Sequence, residues 1–77
     1  MDLRNEIRSI IAGIIELPIE QLDDSAEMEF VKGWDSIHHV MILAALEEHF
    51  DILFPDEDIL DLISVEAFVE EIAKLKA

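Results

Sequence analysis

Leu3, Ile7, Ile10, Ile11, Ile14 and Ile15 recur three and four positions apart. At about 100° per residue they form one stripe, so this segment predicts an amphipathic helix. Asp2 and Glu6 lie near its start, where the positive end of the helix dipole favours acids, and Pro18 bounds its far end. Between Pro18 and Asp35 the periodicity is lost: Ile19, Leu22, Met28, Phe30, Val31 and Trp34 are scattered among acids. A connection this long inside a small domain is functional or internally packed. Its apolar content predicts a loop laid across helix ends rather than a free linker. A second helix is expected over about Ser36–Phe50, closed by Asp51 and then Pro55. Residues 56–63 can make only a short helix. Ser64 suits the N-cap of a last helix whose stripe is Val65, Phe68, Val69, Ile72 and Leu75. No run alternates well enough to read as a strand. The pattern predicts an all-α fold: one domain over residues 1–77, a small four-helix bundle of three longer helices and one short, with a long first loop.

The second helix carries two apolar stripes. His39, Ile42, Leu43, Leu46 and Phe50 share one side, while Ile37, Val40, Met41 and Ala44 fall on nearly the opposite side. A helix at the edge of a one-core bundle needs a single stripe. The second stripe either packs against the short helix and the long loop or borders a cargo or partner site.

Composition narrows the function. The chain has 77 residues with 19 acids against 5 Lys plus Arg, a formal charge of −14. At this length about 60% of the unfolded surface is buried, which leaves little room for a deep, dry active site. Nucleic-acid binding needs clustered basic residues, and an anionic membrane would repel this chain; neither partner is expected. Cysteine is absent, which excludes disulfides, thiolate metal sites and thiol catalysis by the chain's own residues. With 52% apolar residues and a mean hydropathy of +0.29 it does not read as a disordered acidic tail. The longest apolar run, Val40 to Leu46, is far below the roughly 20 residues of a membrane span. Met1-Asp2-Leu3-Arg4-Asn5-Glu6 lacks the basic start and apolar stretch of a signal peptide, so the expected compartment is the cytoplasm. A monomer with partners that present basic surfaces is expected. The acidity is uneven. No Lys or Arg occurs from Gly33 to Ala73, and no acid occurs between Asp35 and Glu47.

Gly33-Trp34-Asp35-Ser36-Ile37 sits at the junction of the long loop and the second helix. A Ser after Asp at a helix start can be a plain cap. It can also carry a phosphate ester, because backbone N–H groups and the positive dipole end stabilise the anion. The two roles are compatible. In this setting the chain resembles the acyl carrier protein family over nearly its whole length. The likeness rests on the first amphipathic helix, the long loop, Asp35-Ser36-Ile37, and Ala45-Leu46-Glu47-Glu48-His49-Phe50-Asp51-Ile52. Phe54-Pro55-Asp56-Glu57-Asp58 and Ser64-Val65 continue it. The resemblance implies that Ser36 is the attachment point of 4′-phosphopantetheine, transferred from coenzyme A by a phosphopantetheinyl transferase, with Asp35 helping to present it. Acyl or aminoacyl groups then ride as thioesters on the cofactor's thiol and are offered to loading and processing enzymes with basic docking surfaces. The resemblance also makes the second helix the docking face. It implies partner contacts at Ile37, His38, Met41, Glu47 and Glu48, and candidate acyl-pocket lining or rim residues at Val40, Met41 and Ala44. Trp34 is expected to pack the loop against the helix start.

Fatty-acid-synthesis carriers commonly place acids where this chain has His38 and Met41, and a small residue where it has Trp34. Gly-Trp-Asp-Ser looks more like free-standing carriers of specialised lipid, polyketide or other secondary-metabolite pathways. The Gly-Gly-His-Ser pattern of peptidyl carriers is not present. Among competing chemistries, a metal site fails: His38 and His49 lie about 16 Å apart along the helix, and adjacent His38 and His39 diverge. Both His38 and His49 read as solvated or partner-facing, and His39 is placed to pair with Asp35. Counting a calcium loop from Asp56 puts Asp61 and Ala67 where Gly and Glu are needed. Gly-Trp-Asp-Ser-Ile is not a nucleophile elbow, so no catalytic residue is assigned. The alternative from another class is an acidic helical adaptor that docks through the second helix and needs no cofactor.

Overall fold

A computed structural model describes residues 3–23 and 25–76 of the chain. Among the described residues there are four α-helices, α1 (Leu3–Ile15), α2 (Ser36–Phe50), α3 (Asp56–Ile59) and α4 (Val65–Lys76). Asp2, expected near the α1 start, lies outside the described residues. Ile7, Ile11 and Ile15 of α1 are buried, with Leu3, Ile10 and Ile14 half-buried against the same core. Ala12 joins them, a position the stripe alone does not single out. α2 contributes Ile42 and Leu46, and α4 contributes Val65, Phe68 and Ile72.

Both long helices of the N-terminal half stop on a left-handed acid rather than at the proline beyond. Glu16 has φ 60° and Asp51 φ 55°. The Leu17 N–H then reaches back to the Ala12 carbonyl at 3.1 Å, and the Ile52 N–H to Glu47 at 3.0 Å. These bonds satisfy carbonyls that the helix ends would otherwise leave open. Lys76 of α4 adds a bond from Nζ to the Phe50 carbonyl at 3.2 Å.

The long loop is packed, as its apolar content implies. Tight helical turns at Ile19–Gln21 and Met28–Phe30 fold it back on itself, and Leu22, Ala26 and Trp34 are buried. Phe30 departs from this reading, being exposed. Two features hold the loop in place. The Arg8 guanidinium of α1 donates from Nε to the Leu22 carbonyl at 2.6 Å and from Nη2 to the Ile19 carbonyl at 3.0 Å. At its other end Met28 N–H donates to Ile63 O at 2.7 Å, while Val65 N–H donates to Ala26 O at 3.0 Å. The second feature explains why α3 is four residues long although residues 56–63 were available. Leu62 must turn inward, and Ile63 must stay extended to bond the loop. Ser64 caps α4 as expected, its Oγ accepting the Ala67 N–H at 3.1 Å.

Glu71 of α4 is 8% exposed, an acid inside the face that Phe68 and Ile72 bury. Burial raises its carboxyl above the ordinary value, and the hydrogen bond and charge of Asp58 from α3 raise it further; Lys74 opposes the shift. Lys74 Nζ stands 3.9 Å from Glu71 and 4.0 Å from Asp58. The two carboxyls thus face each other across the α3–α4 contact. A raised carboxyl binds protons more tightly folded than unfolded, so its ionisation lowers stability as pH rises above the ordinary value of 4.5. Glu71→Gln keeps a donor toward Asp58 without the charge. Its thermal midpoint should exceed that of wild type at neutral pH, and the gain should shrink as the pH is lowered toward 4.5.

Candidate functional site

The site is built at the junction of the loop with α2, and each residue of the junction has its own physical task. Gly33 adopts φ +92°, and a Cβ there would lie 3.3 Å from the Ile15 carbonyl. The chain passes the C-terminus of α1 closely and in a left-handed conformation, so any side chain here would be strained. Trp34 follows and is 3% exposed. Its indole stacks on Phe68 of α4 with centroids 6.4 Å apart and planes 12° apart. Its Nε1–H donates to Nδ1 of His39 at 2.9 Å.

Asp35 is the N-cap of α2. With extended backbone (φ −104°, ψ −174°) its Oδ1 accepts the His38 N–H at 2.9 Å. The same oxygen is 2.8 Å from His38 Nδ1. The backbone N–H of His38 holds the Asp35 carboxyl below its ordinary value, and the His38 imidazole adds to this. Ser36 is the first residue of α2 and is exposed. Counting from the cap, Trp34 precedes it and His39 is the fourth helical residue. Their contact is therefore a staple across the first turn, which sets the angle at which the chain enters the helix. Cap and staple together leave one small exposed residue, Ser36, at the positive end of the α2 dipole.

The imidazole pairing differs from the expected one. His39 bonds Trp34, and His38 bonds Asp35, because a capping carboxylate turns toward the N–H of the third helical residue. His39, one residue later, points into the core and is 9% exposed. Burial pushes its imidazole below the ordinary 6.5, so the ring is neutral at neutral pH. His49 is also tied within the chain, with Nε2 3.2 Å from Glu6 Oε2 of α1. Neither His38 nor His49 is simply solvated.

The second stripe of α2 does not pack against the short helix or the loop. Ile37 is 73%, Val40 64% and Met41 48% exposed, and Ala44 is exposed beside them. Side chains this open rim the surface and do not line the bundle interior. Glu48 is exposed, whereas Glu47 is half-buried and its Oε2 accepts the Phe54 N–H at 3.0 Å. Glu47 thus braces the turn after α2. A cleft of about 490 Å³ between α3 and α4 is lined by Asp58, Asp61, Leu62, Glu70, Glu71 and Lys74. It contains none of the residues around Ser36. The residues missed in the sequence are His39 as the partner of Trp34 and Phe68 as their shared platform. The distance of Phe68 along the chain hides that platform, although the position of Trp34 just before the cap pointed to a staple.

Two substitutions test the junction. Gly33→Ala forces a side chain into a left-handed conformation against Ile15 and should cost about 1–2 kcal/mol in urea unfolding. Asp35→Ala should lower the thermal midpoint at neutral pH. A depressed carboxyl stabilises the fold above its ordinary value of 3.8 and loses that contribution as pH falls through the folded value. The deficit of Asp35→Ala relative to wild type should therefore narrow in strong acid.

The comparison with protein families agrees with this geometry. The family described as "Phosphopantetheine attachment site" matches residues 5–72, from the first turns of α1 to Ile72 of α4. That span includes the whole junction, all of α2 and α3, and most of α1 and α4. Proteins of this family are modified by phosphopantetheinyl transferases and interact with processing enzymes; they carry, and do not catalyse. No helix among the described residues is long and apolar enough to cross a membrane. The chain belongs to the phosphopantetheine-attachment family of acyl carrier proteins, on which 4′-phosphopantetheine is covalently held.

Proposed function

We propose that Ser36 is the residue that takes 4′-phosphopantetheine, and that the chain acts as one monomeric carrier domain in the cytoplasm for a dedicated acyl or aminoacyl cargo. The observation that carries this reading is the placement of Ser36. It is an exposed hydroxyl at the first position of α2, directly after the stapled Trp34 and the capping Asp35. The positive helix end favours the phosphodiester anion that attachment creates. Once attached, the group supplies a terminal thiol that holds cargo as a thioester, which the cysteine-free chain does not provide.

The residues around Ser36 divide the remaining work. Asp35 keeps the helix start ordered and its carboxylate ionised beside the hydroxyl. Ile37, Val40, Met41 and Ala44 offer an apolar strip for partner enzymes and for the near end of the cargo. Glu48, with the outer oxygen of Glu47, offers charge to basic partner surfaces. His38 and Met41 stand where an acidic docking strip would place carboxylates, which supports a specialised lipid or secondary-metabolite pathway over general fatty acid synthesis. Partner enzymes matched to this strip would be apolar near Ser36 and basic farther along α2.

Intact mass after incubation with coenzyme A and a broad-specificity phosphopantetheinyl transferase tests the assignment. Wild type should gain the mass of one phosphopantetheinyl group, and Ser36→Ala should gain none. No adduct on wild type would overturn the carrier reading and favour the adaptor, which docks through the same exposed strip without a cofactor. An adduct that survives Ser36→Ala would place the attachment elsewhere.

A further inference from the structure

His39 lies one turn below Ser36, inside the core, and its hydrogen bonding is incomplete. An indole N–H only donates, so His39 Nδ1 must present its lone pair to Trp34 Nε1. The ring's proton then sits on Nε2, which is buried and has no hydrogen-bond partner among the described residues. A buried donor left unmatched costs stability, and an apolar side chain would avoid that cost. What the histidine supplies in return is an acceptor at Nδ1. That acceptor fixes the indole of the residue two places before Ser36.

Resting on the assignment of Ser36 above, we propose that His39 is a positioning residue for the modification of Ser36: by accepting the Trp34 N–H it holds the Trp34-Asp35-Ser36 backbone in the conformation presented to the transferase. The bond closes a short loop of the chain. Trp34 bonds His39 through side chains, and His39 N–H bonds the Asp35 carbonyl at 2.8 Å. Between them, Ser36 has its backbone held from both sides. The arrangement works in one protonation state. Protonating His39 places an N–H against the indole N–H, so the bond that holds the junction is lost.

The surroundings of the ring leave that protonation to burial alone. From α4 the ring meets Phe68, with centroids 5.9 Å apart, and from the loop Trp34 at 6.0 Å; neither is charged. The carboxylate at its own helix start, Asp35, is engaged by His38. On α4 the buried acid Glu71 faces Asp58 and Lys74. Glu6 of α1 faces His49. An imidazole lowered in the folded protein destabilises it as pH falls below the ordinary 6.5, since the unfolded chain takes the proton first.

The test uses the full-length apo-protein, coenzyme A and the transferase. His39→Leu combined with Trp34→Phe removes both polar atoms. This pair leaves no unmatched polar group but does not fill the volume of the larger indole, so it should fold with a thermal midpoint somewhat below that of wild type. It should also lower kcat/KM for Ser36 modification by about tenfold, the effect of roughly one hydrogen bond. His39→Asn offers a carbonyl near the Nδ1 position and should restore most of the rate. In a mixture of wild type and His39→Asn, the transferase's own pH profile cancels. The wild-type share of the product should hold steady near neutral pH and fall as the pH drops below the ordinary 6.5, where the buried imidazole takes its proton. The emission of Trp34, the single tryptophan of the chain, should change over the same range. A double variant modified at the wild-type rate, or a product ratio and emission that stay constant with pH, would show that His39 only fills space. Wild type that takes no group at all would instead overturn the Ser36 assignment.

Discussion

The burial of the Trp34 indole is the contact on which the junction depends. The indole packs against both α2 and α4 in a three-ring cluster, its centroid 6.0 Å from His39 and 6.4 Å from Phe68, with those two rings 5.9 Å from each other. Phe54, from the turn after α2, meets the same Phe68 ring with centroids 5.8 Å apart. One aromatic side chain of α4 thereby organises the start of α2, its exit turn and the last stretch of the long loop. A small domain has few buried side chains with which to position its elements. Concentrating three segments on one ring makes the position of Ser36 a consequence of core packing and not of loop chemistry alone.

The same economy governs charge. A formal charge of −14 opposes compaction through self-repulsion. Three of the few cations each hold two segments together. Arg8 binds loop carbonyls, Arg4 makes a forked bond to Glu66 at 2.8 and 2.9 Å, and Lys76 caps α2. Carboxylates are used similarly: Glu47 braces the turn after α2 and Asp35 caps its start. Beyond Asp35, the exposed face of α2 next to Ser36 carries no acid and is open and apolar along Ile37, Val40 and Met41. Attraction of a charged partner is thus separated in space from the strip that surrounds the modified serine, so general acidity and local selectivity can act independently.

Much of this was legible in the chain. The α1 stripe, the extent of α2 and the cap at Ser64 follow from periodicity and residue chemistry, and the structure reproduces them. The packed loop was legible from its apolar residues, though Phe30 shows that the presence of an apolar side chain does not assign its direction. Two errors share a cause. Pairing His39 with Asp35 treated spacing along the helix as sufficient, whereas the capping carboxylate turns to the third residue and the fourth faces the core. Glu71 is polar and was left out of the α4 stripe, yet it is buried because α3 brings Asp58 over it. Both depend on which element covers a face.

The sequence by itself determined the helices, their caps, the acid-free strip and the Gly33-Trp34-Asp35-Ser36 junction, because these follow from local propensities and from periodicity within one helix. Only the tertiary structure decided that the outer stripe of α2 stays open, that Phe68 is the platform for Trp34 and that His39 closes the staple. Those outcomes depend on contacts between residues far apart in the chain, and each side chain's surroundings exist only once the helices have packed.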